Sequence, residues 1–205
     1  MIIKKIRNFK FVIRNCQAGM SYVELIVVLS IFSVMTSIIL FNYGEFQGKV
    51  DIKNLASDIA LKIVEAQKLS LSGAMPASID SLLIPDDWKP SYGLFLDAVD
   101  SKNSFMYFVD INNNTYFEYE DCYGECLEKV TITKNNIIDK LEVFGVGCSP
   151  INALTITFKR PDSGAIMVSS PPLTCVVSYA QITIKSPQGA TAKIKVFLSG
   201  RIEIN

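Results

Sequence analysis

The stretch GMSYVELIVVLSIFSVMTSIILF, residues 19–41, decides how this chain is organised. Residues 25–41 form a run of 17 positions without a charged side chain, which is close to the length that a helix needs to cross a bilayer. A single carboxylate, Glu24, lies directly before this run. Because an acid at the centre of a membrane helix costs about 2.5–3.5 kcal/mol, Glu24 is expected to have a partner.

A short basic segment precedes this stretch. It holds five cations and no acid, namely Lys4, Lys5, Arg7, Lys10 and Arg14. A secretory signal peptide has its apolar region before the cleavage site, whereas here the apolar run follows Gly19. Cleavage after Gly19 would therefore leave the apolar helix on the mature chain. The alternative interpretation is an uncleaved signal anchor with Glu24 at the level of the lipid headgroups.

The glycine, the glutamate and the apolar run together resemble the N-terminus of a type IV prepilin or pseudopilin. The resemblance implies that a prepilin peptidase cuts after Gly19 and methylates the new amino terminus at Met20, so that Glu24 is the fifth mature residue. Glu24 would then meet the Met20 ammonium of a neighbouring subunit in a low dielectric and set the axial register. Two positions depart from the family pattern. Met20 replaces the usual aromatic residue, and Phe41 stands where major pilins often have a proline.

The pattern after the apolar run predicts that the helix continues outside the membrane. Apolar side chains recur at three- and four-residue steps at Phe46, Val50, Leu55, Ile59, Ile63, Ala66 and Leu69. Gly73 and Pro76 provide a stop signal. The predicted organisation is a leader at 1–19, a transmembrane and assembly helix at 20–44, an amphipathic continuation at 45–73 and a β-rich head at 74–205.

The head reads as short strands separated by Asn, Asp, Gly, Pro and Ser. The predicted strands are 92–96, 105–109, 116–119, 129–133, 141–144, 154–158, 165–168, 180–184, 192–197 and 201–204. Their spacing favours antiparallel hairpins. The fold class is therefore α+β. Trp88, between Pro85 and Pro90, is predicted to lie in an exposed loop.

Three segments near the end of the head extend the resemblance. They are TFKRPDSGAIM (157–167), AQITIK (180–185) and AKIKVFLSGRIEIN (192–205), and their series of strands and glycine turns is similar to that of minor pilins and H-type minor pseudopilins. The resemblance implies a long helix whose amphipathic half packs on two antiparallel sheets.

Charge and composition bound the function. The whole chain has 20 cations and 20 acids, but the mature chain would keep 15 Lys and Arg against 20 Asp and Glu, a net charge of −5. No broad basic face for nucleic acid is expected from this balance. The chain has no histidine and no activated nucleophile motif, so an enzyme is not expected. The basic leader predicts an inner-membrane, single-pass protein with its head outside the cytoplasm.

Four cysteines would remain after cleavage, because Cys16 leaves with the leader. They are Cys122, Cys126, Cys148 and Cys175, which allow two disulfides in three connectivities. Pairing of Cys122 with Cys126 and of Cys148 with Cys175 is favoured. Zinc is the competing interpretation, but no second closely spaced cysteine pair accompanies the first.

One segment, DINNNTYFEYED, has the oxygen spacing of a calcium loop. Asp110, Asn112, Asn114, Tyr116 through its carbonyl, Glu118 and Asp121 take loop positions 1, 3, 5, 7, 9 and 12 of an EF-hand-like loop. Thr115 stands where such a loop uses glycine. The alternative is an Asn-rich hairpin turn without a metal.

The function expected from the resemblance is a structural minor subunit of a type IV pilus or a type II secretion-like pseudopilus. Its partners would be other pilin or pseudopilin subunits, the prepilin peptidase and an inner-membrane assembly platform. The alternative is a binding module mounted on the filament for DNA uptake, adhesion or recognition of a secreted substrate. Nucleic acid would be a partner only in a competence filament.

Overall fold

The structure is a computed structural model that describes residues 19–76, 88–115, 117, 125–148 and 150–205, without the side chains of Phe41 and Asn42. Within these residues the elements are helix α1 (Tyr22–Ser72) and nine strands. The strands are β1 (Ser91–Asp97), β2 (Ser104–Val109), β3 (Cys126–Thr131), β4 (Ile137–Val146), β5 (Ala153–Lys159), β6 (Ala165–Ser170), β7 (Val176–Lys185), β8 (Thr191–Phe197) and β9 (Ile202–Ile204). The chain divides into two compact units, Met1–Asn42 and Tyr43–Asn205.

The strands form two antiparallel sheets. The first sheet has five strands in the order β3-β2-β1-β5-β6, and the second has four in the order β4-β7-β8-β9. Alternate residues of both sheets face a shared core, for example Leu94 and Ile156 in the first sheet and Ile182 and Ile194 in the second. The predicted α+β fold, a long N-terminal helix packed on two antiparallel sheets, is confirmed.

The part of α1 in the second unit contributes one face to this core. Ile52, Ala56, Ile59, Ile63 and Ala66 are buried and recur at three- and four-residue steps. Small residues among them allow the helix backbone to approach the sheets closely. The predicted stripe is wrong at its start, because Phe46 and Val50 are exposed and Ile52 and Ala56 take the buried positions.

Helix α1 ends at the predicted glycine. Gly73 has a φ of 70°, in the left-handed region that favours glycine. The N–H of Ala74 donates to the carbonyl of Leu69 at 3.3 Å, and the N–H of Gly73 donates to the carbonyl of Ser70 at 3.3 Å. These two bonds form a Schellman motif, which satisfies carbonyls at the end of the helix.

Each described strand overlaps a predicted one, although the observed bounds differ by a few residues. Of the predicted strand 116–119, only Phe117 is described, and it lies outside the strands. Its ring packs against Phe95 and Phe108, with centroids 5.2 Å away in both cases. Phe117 thus covers part of the outer face of the first sheet.

The predicted exposed loop around Trp88 is wrong at the tryptophan itself. The Trp88 indole is buried, and its N–H donates to the Asp110 carbonyl at 2.7 Å. A buried indole N–H usually has such a partner, so Trp88 joins the core at the start of β1.

Candidate functional site

The predicted cleavage site lies in accessible, non-helical chain. Met20 is 64% exposed, and no heavy atom lies within 4 Å of the position that a Cβ would occupy on Gly19. Helix α1 begins at Tyr22, and the Leu25 N–H donates to the Ser21 carbonyl at 3.1 Å. The Gly19–Met20 bond therefore precedes the helix, in the kind of segment that proteases accept.

Glu24 lies in the first turn of α1 and is exposed. A carboxylate is stabilising there because the N-terminus of a helix carries partial positive charge. Ser21 and Glu24 also have the spacing of a capping box, which is a local signal for the start of a helix and is independent of any family resemblance. Among the described residues Glu24 forms no ion pair. Its predicted partner, the Met20 amine of a second subunit, lies outside a single chain.

The apolar run of α1 is exposed in the first unit. Leu40, for example, is 68% exposed. In the part of the chain that the structure describes, α1 is the one helix long and apolar enough to span a membrane, and it lies near the N-terminus. Such a surface requires lipid or other apolar helices around it.

A second apolar surface lies on α1 within the second unit. We call Phe46, Val50, Leu61, Val64 and Leu71 the outer stripe. All five are exposed, with Phe46 at 66% and Leu61 at 65%. Their separations of 4, 11, 3 and 7 residues are close to whole helical turns, so they share one side of the helix, away from the buried face. The stripe is apolar helix surface that the described part of the head does not cover.

The predicted calcium loop is described in part. Asp110 is buried, and its carboxylate accepts backbone N–H bonds from Asn114 and Thr115, both at 3.0 Å, and a bond from the Ser91 hydroxyl at 3.3 Å. Burial raises the pKa of the Asp110 carboxyl, although these bonds act against it. Thr115 has a φ of 71°, which is the backbone that a calcium loop needs at this position.

The remaining predicted calcium ligands, Tyr116, Glu118 and Asp121, lie outside the described residues. Within the described ranges, no group of three His, Cys, Asp or Glu side chains converges on a metal position. The Asp110 carboxylate there serves to hold the loop backbone. Calcium therefore stays a prediction, which a comparison of melting temperatures in excess calcium and in EDTA tests.

The cysteines agree with an oxidising compartment. Cys148 and Cys175 form a disulfide, as predicted. Cys126 is also disulfide-bonded, whereas its predicted partner Cys122 lies outside the described residues. Disulfides persist mainly in extracytoplasmic proteins.

A surface that the sequence analysis missed lies on the outer face of the second sheet. Phe144, Tyr179 and Phe197 occupy one cross-strand row on β4, β7 and β8, which we call the aromatic row. The Phe144 and Tyr179 rings stack with centroids 4.8 Å apart, and those of Tyr179 and Phe197 lie 5.4 Å apart. The signal was present in the alternation of Lys193, Lys195 and Phe197 along one strand.

Comparison of the chain with protein-family models, with curated proteins and with solved structures gave no match.

Proposed function

We propose that this protein is a minor subunit of a type IV pilus or of a type II secretion-like pseudopilus. A prepilin peptidase cleaves it after Gly19, and the mature chain enters a filament through its N-terminal helix. The head lies outside the cytoplasm, first anchored in the inner membrane and then on the filament. Its partners are other subunits of this class, the peptidase and the membrane platform that assembles them.

The observation that carries the proposal is the exposed apolar surface of α1. The apolar side chains of the run from residue 25 to residue 40 are exposed, and the outer stripe is exposed within the head unit. A membrane anchor alone accounts for the first surface but not for the outer stripe, since that stripe belongs to the unit that carries the folded head. Side-by-side packing of helices from several subunits accounts for both.

Glu24 supports the same assembly. Its carboxylate lies at the start of an apolar helix, where a second charge is needed to neutralise it once lipid and other helices surround it. The amine that cleavage creates at Met20 supplies that charge from a neighbouring copy. Among the described residues no group does so within the chain.

Mass spectrometry of the chain expressed with a prepilin peptidase tests the proposal. We expect a mature chain that begins at a methylated Met20, and an uncleaved chain when the peptidase is omitted. Gly19→Val should prevent cleavage, whereas Gly44→Val should not. Both glycines have no heavy atom within 4 Å of a built Cβ, so neither substitution meets a clash in the fold. An intact Met1 terminus in the presence of the peptidase, or a cut at another bond, would refute the proposal.

A further inference from the structure

The outer face of the second sheet combines aromatic and basic side chains. It consists of the residues of the sheet's four strands and of Arg201 that lie on the side away from the shared core, of which Gln181 and Thr183 on β7 are themselves buried. We call it the basic aromatic face, and it contains the aromatic row together with Asp139, Lys140, Glu142, Gln181, Thr183, Lys185, Thr191, Lys193, Lys195, Arg201 and Glu203. This face lies within one unit, so its geometry does not depend on the membrane helix.

The aromatic row has two different ends. At the β8 end, the Arg201 guanidinium lies over the Phe197 ring, 4.2 Å from its centroid. At the other end, Phe144 is on β4, an edge strand of its sheet, and is 37% exposed. Stacked rings in a column present their faces only at the ends of the column. A flat ring from a ligand can therefore extend the row at Phe144.

The net charge of this face is positive, whereas the net charge expected for the mature chain is negative. Five cations, Lys140, Lys185, Lys193, Lys195 and Arg201, accompany three carboxylates, those of Asp139, Glu142 and Glu203, with Asp139 placed beside Lys140 by the bulge in β4. Two of the three carboxylates have a partner on this face. Glu142 accepts a bond from the Gln181 amide at 3.1 Å, and Glu203 pairs with Arg201 at 3.0 Å. The overall charge of the sequence does not indicate this local excess of cations, because its members come from separate strands.

The four lysines of this face form no ion pair with a described residue. Lys195 lies over the Tyr179 ring, with its Nζ 5.4 Å from the centroid. Lys193 precedes Lys195 by two residues on β8 and so lies further from the aromatic row. At a rise of about 3.4 Å per residue, the two lysines are about 7 Å apart along the strand. Positive charge thus begins beside the aromatic row and extends along the sheet from it.

We propose that the basic aromatic face binds a single strand of nucleic acid. An unpaired base stacks on the exposed side of Phe144, and the lysines contact the phosphates. Rings and cations on one sheet surface are the combination that single-strand binders use. A duplex fits this face less well, because its bases are already stacked and paired. The inference goes beyond assembly into a filament and does not depend on it.

Fluorescence anisotropy of a labelled 20-nucleotide oligo-dT with the detergent-solubilised full chain tests the inference. Lys193→Gln/Lys195→Gln should weaken binding and reduce the slope of log K against log salt by about 1.4, because two phosphate contacts are lost. The matched control is Lys68→Gln/Lys129→Gln, which removes two exposed lysines that lie on α1 and on β3 of the first sheet. The basic leader is common to all variants, so it does not affect the comparison.

Phe144→Ala tests stacking separately from charge. We expect its affinity for oligo-dT to fall about fivefold or more, with little change for heparin, which has no bases. Phe46→Ala removes a more exposed ring from α1 and should leave both affinities unchanged. Thermal melting checks that each variant is folded. Equal affinities of the lysine test and control variants would overturn the inference. An equal loss of heparin and oligo-dT binding in Phe144→Ala would also overturn it.

Discussion

Two tyrosines on the inner face of the first sheet differ in what their hydroxyl groups contact. The Tyr92 hydroxyl donates to the Ala74 carbonyl at 2.6 Å. The Tyr107 hydroxyl is buried without a hydrogen-bond partner in the described chain, while Lys62 lies over its ring at 5.3 Å. The rings stack with centroids 6.5 Å apart, so the two sites share one environment. Replacement of tyrosine by phenylalanine should therefore change the free energy of unfolding in opposite directions at the two positions.

Tyr92→Phe should lower the free energy of unfolding by about 1 kcal/mol, because it leaves the Ala74 carbonyl without this donor. Tyr107→Phe should raise it by about 1 kcal/mol, because a buried hydroxyl without a partner is removed and the ring is retained. Thermal or urea unfolding of the two variants measures both effects. A loss of stability in Tyr107→Phe as large as that in Tyr92→Phe would contradict this prediction.

The stability difference between wild type and Tyr107→Phe should depend on pH. Burial raises the pKa of the Tyr107 hydroxyl, and the carboxylates of Glu65 and Glu128 act in the same direction. An unfolded tyrosine ionises near pH 10, so above about that pH the unfolded chain releases a proton that the folded chain retains. The free energy of unfolding therefore falls as the pH rises. Unfolding midpoints at about pH 9 and 11 should fall more for wild type than for Tyr107→Phe.

Glu24 is the residue whose charge is predicted to act between subunits. Glu24→Gln should leave cleavage after Gly19 unchanged and reduce incorporation into filaments by at least tenfold. That factor corresponds to about 1.4 kcal/mol of a charge pair in a low dielectric. Glu45→Gln is the control, since Glu45 is an exposed acid on the same helix that already pairs with Lys49 at 2.6 Å. Immunoblots of sheared filaments and of whole cells measure incorporation. Equal incorporation of the two variants would contradict the charge pairing.

At the scale of the element, the end of α1 shows how a local signal in the sequence fixes a structure. Gly73 and Pro76 predict the stop, and the helix ends at Ser72 with Gly73 in the left-handed region. The strands are equally readable, because β-branched and aromatic runs between turn residues depend on neighbouring positions alone. The side of the helix that becomes buried is not local information. Phe46 and Val50 are apolar, but the head covers Ile52 and Ala56 instead.

Gly73→Ala should lower the free energy of unfolding by about 1–2 kcal/mol, because a side chain is strained at a positive φ. A Cβ on Gly73 would also lie 2.7 Å from the Arg160 guanidinium, which would have to move. Gly44→Ala is the control, since Gly44 lies inside the helix with no heavy atom within 4 Å of a built Cβ. It should cause no loss of stability. Thermal melts of the two variants in the same detergent compare them directly, and equal melting temperatures would refute the assignment of strain to Gly73.

At the scale of the whole molecule, the sequence predicts the individual strands and the disulfide better than it predicts which strands pair. The two sheets and the Cys148–Cys175 pair agree with prediction. The pairing of β1 with β5 joins segments that are far apart in sequence, and no local pattern specifies it. The basic aromatic face was missed for the same reason. Its lysines and rings come from separate strands, and only the register of β4, β7 and β8 brings them together.

The disulfide is expected to make a large contribution to the stability of the head. Its cysteines are 27 positions apart in the sequence, and Cys148→Ser/Cys175→Ser should lower the free energy of unfolding by about 3.5 kcal/mol by the loop-entropy relation. Cys16→Ser is the control, because that residue is predicted to leave with the leader. Urea unfolding under non-reducing conditions measures the difference. Equal midpoints for the two variants would show that the bond does not stabilise the fold.

The same bond has a mechanical consequence. Cys148 follows β4 and Cys175 precedes β7, so the covalent loop contains all of β5 and β6. When the chain is pulled from its two ends, the sulfur bridge bears the load, and the chain between the two cysteines, which are 27 positions apart, cannot extend. The fully stretched chain is therefore about 90 Å shorter with the disulfide than without it. The hairpin of β5 and β6, at one edge of the first sheet, therefore carries no tension even after the second sheet has been pulled apart.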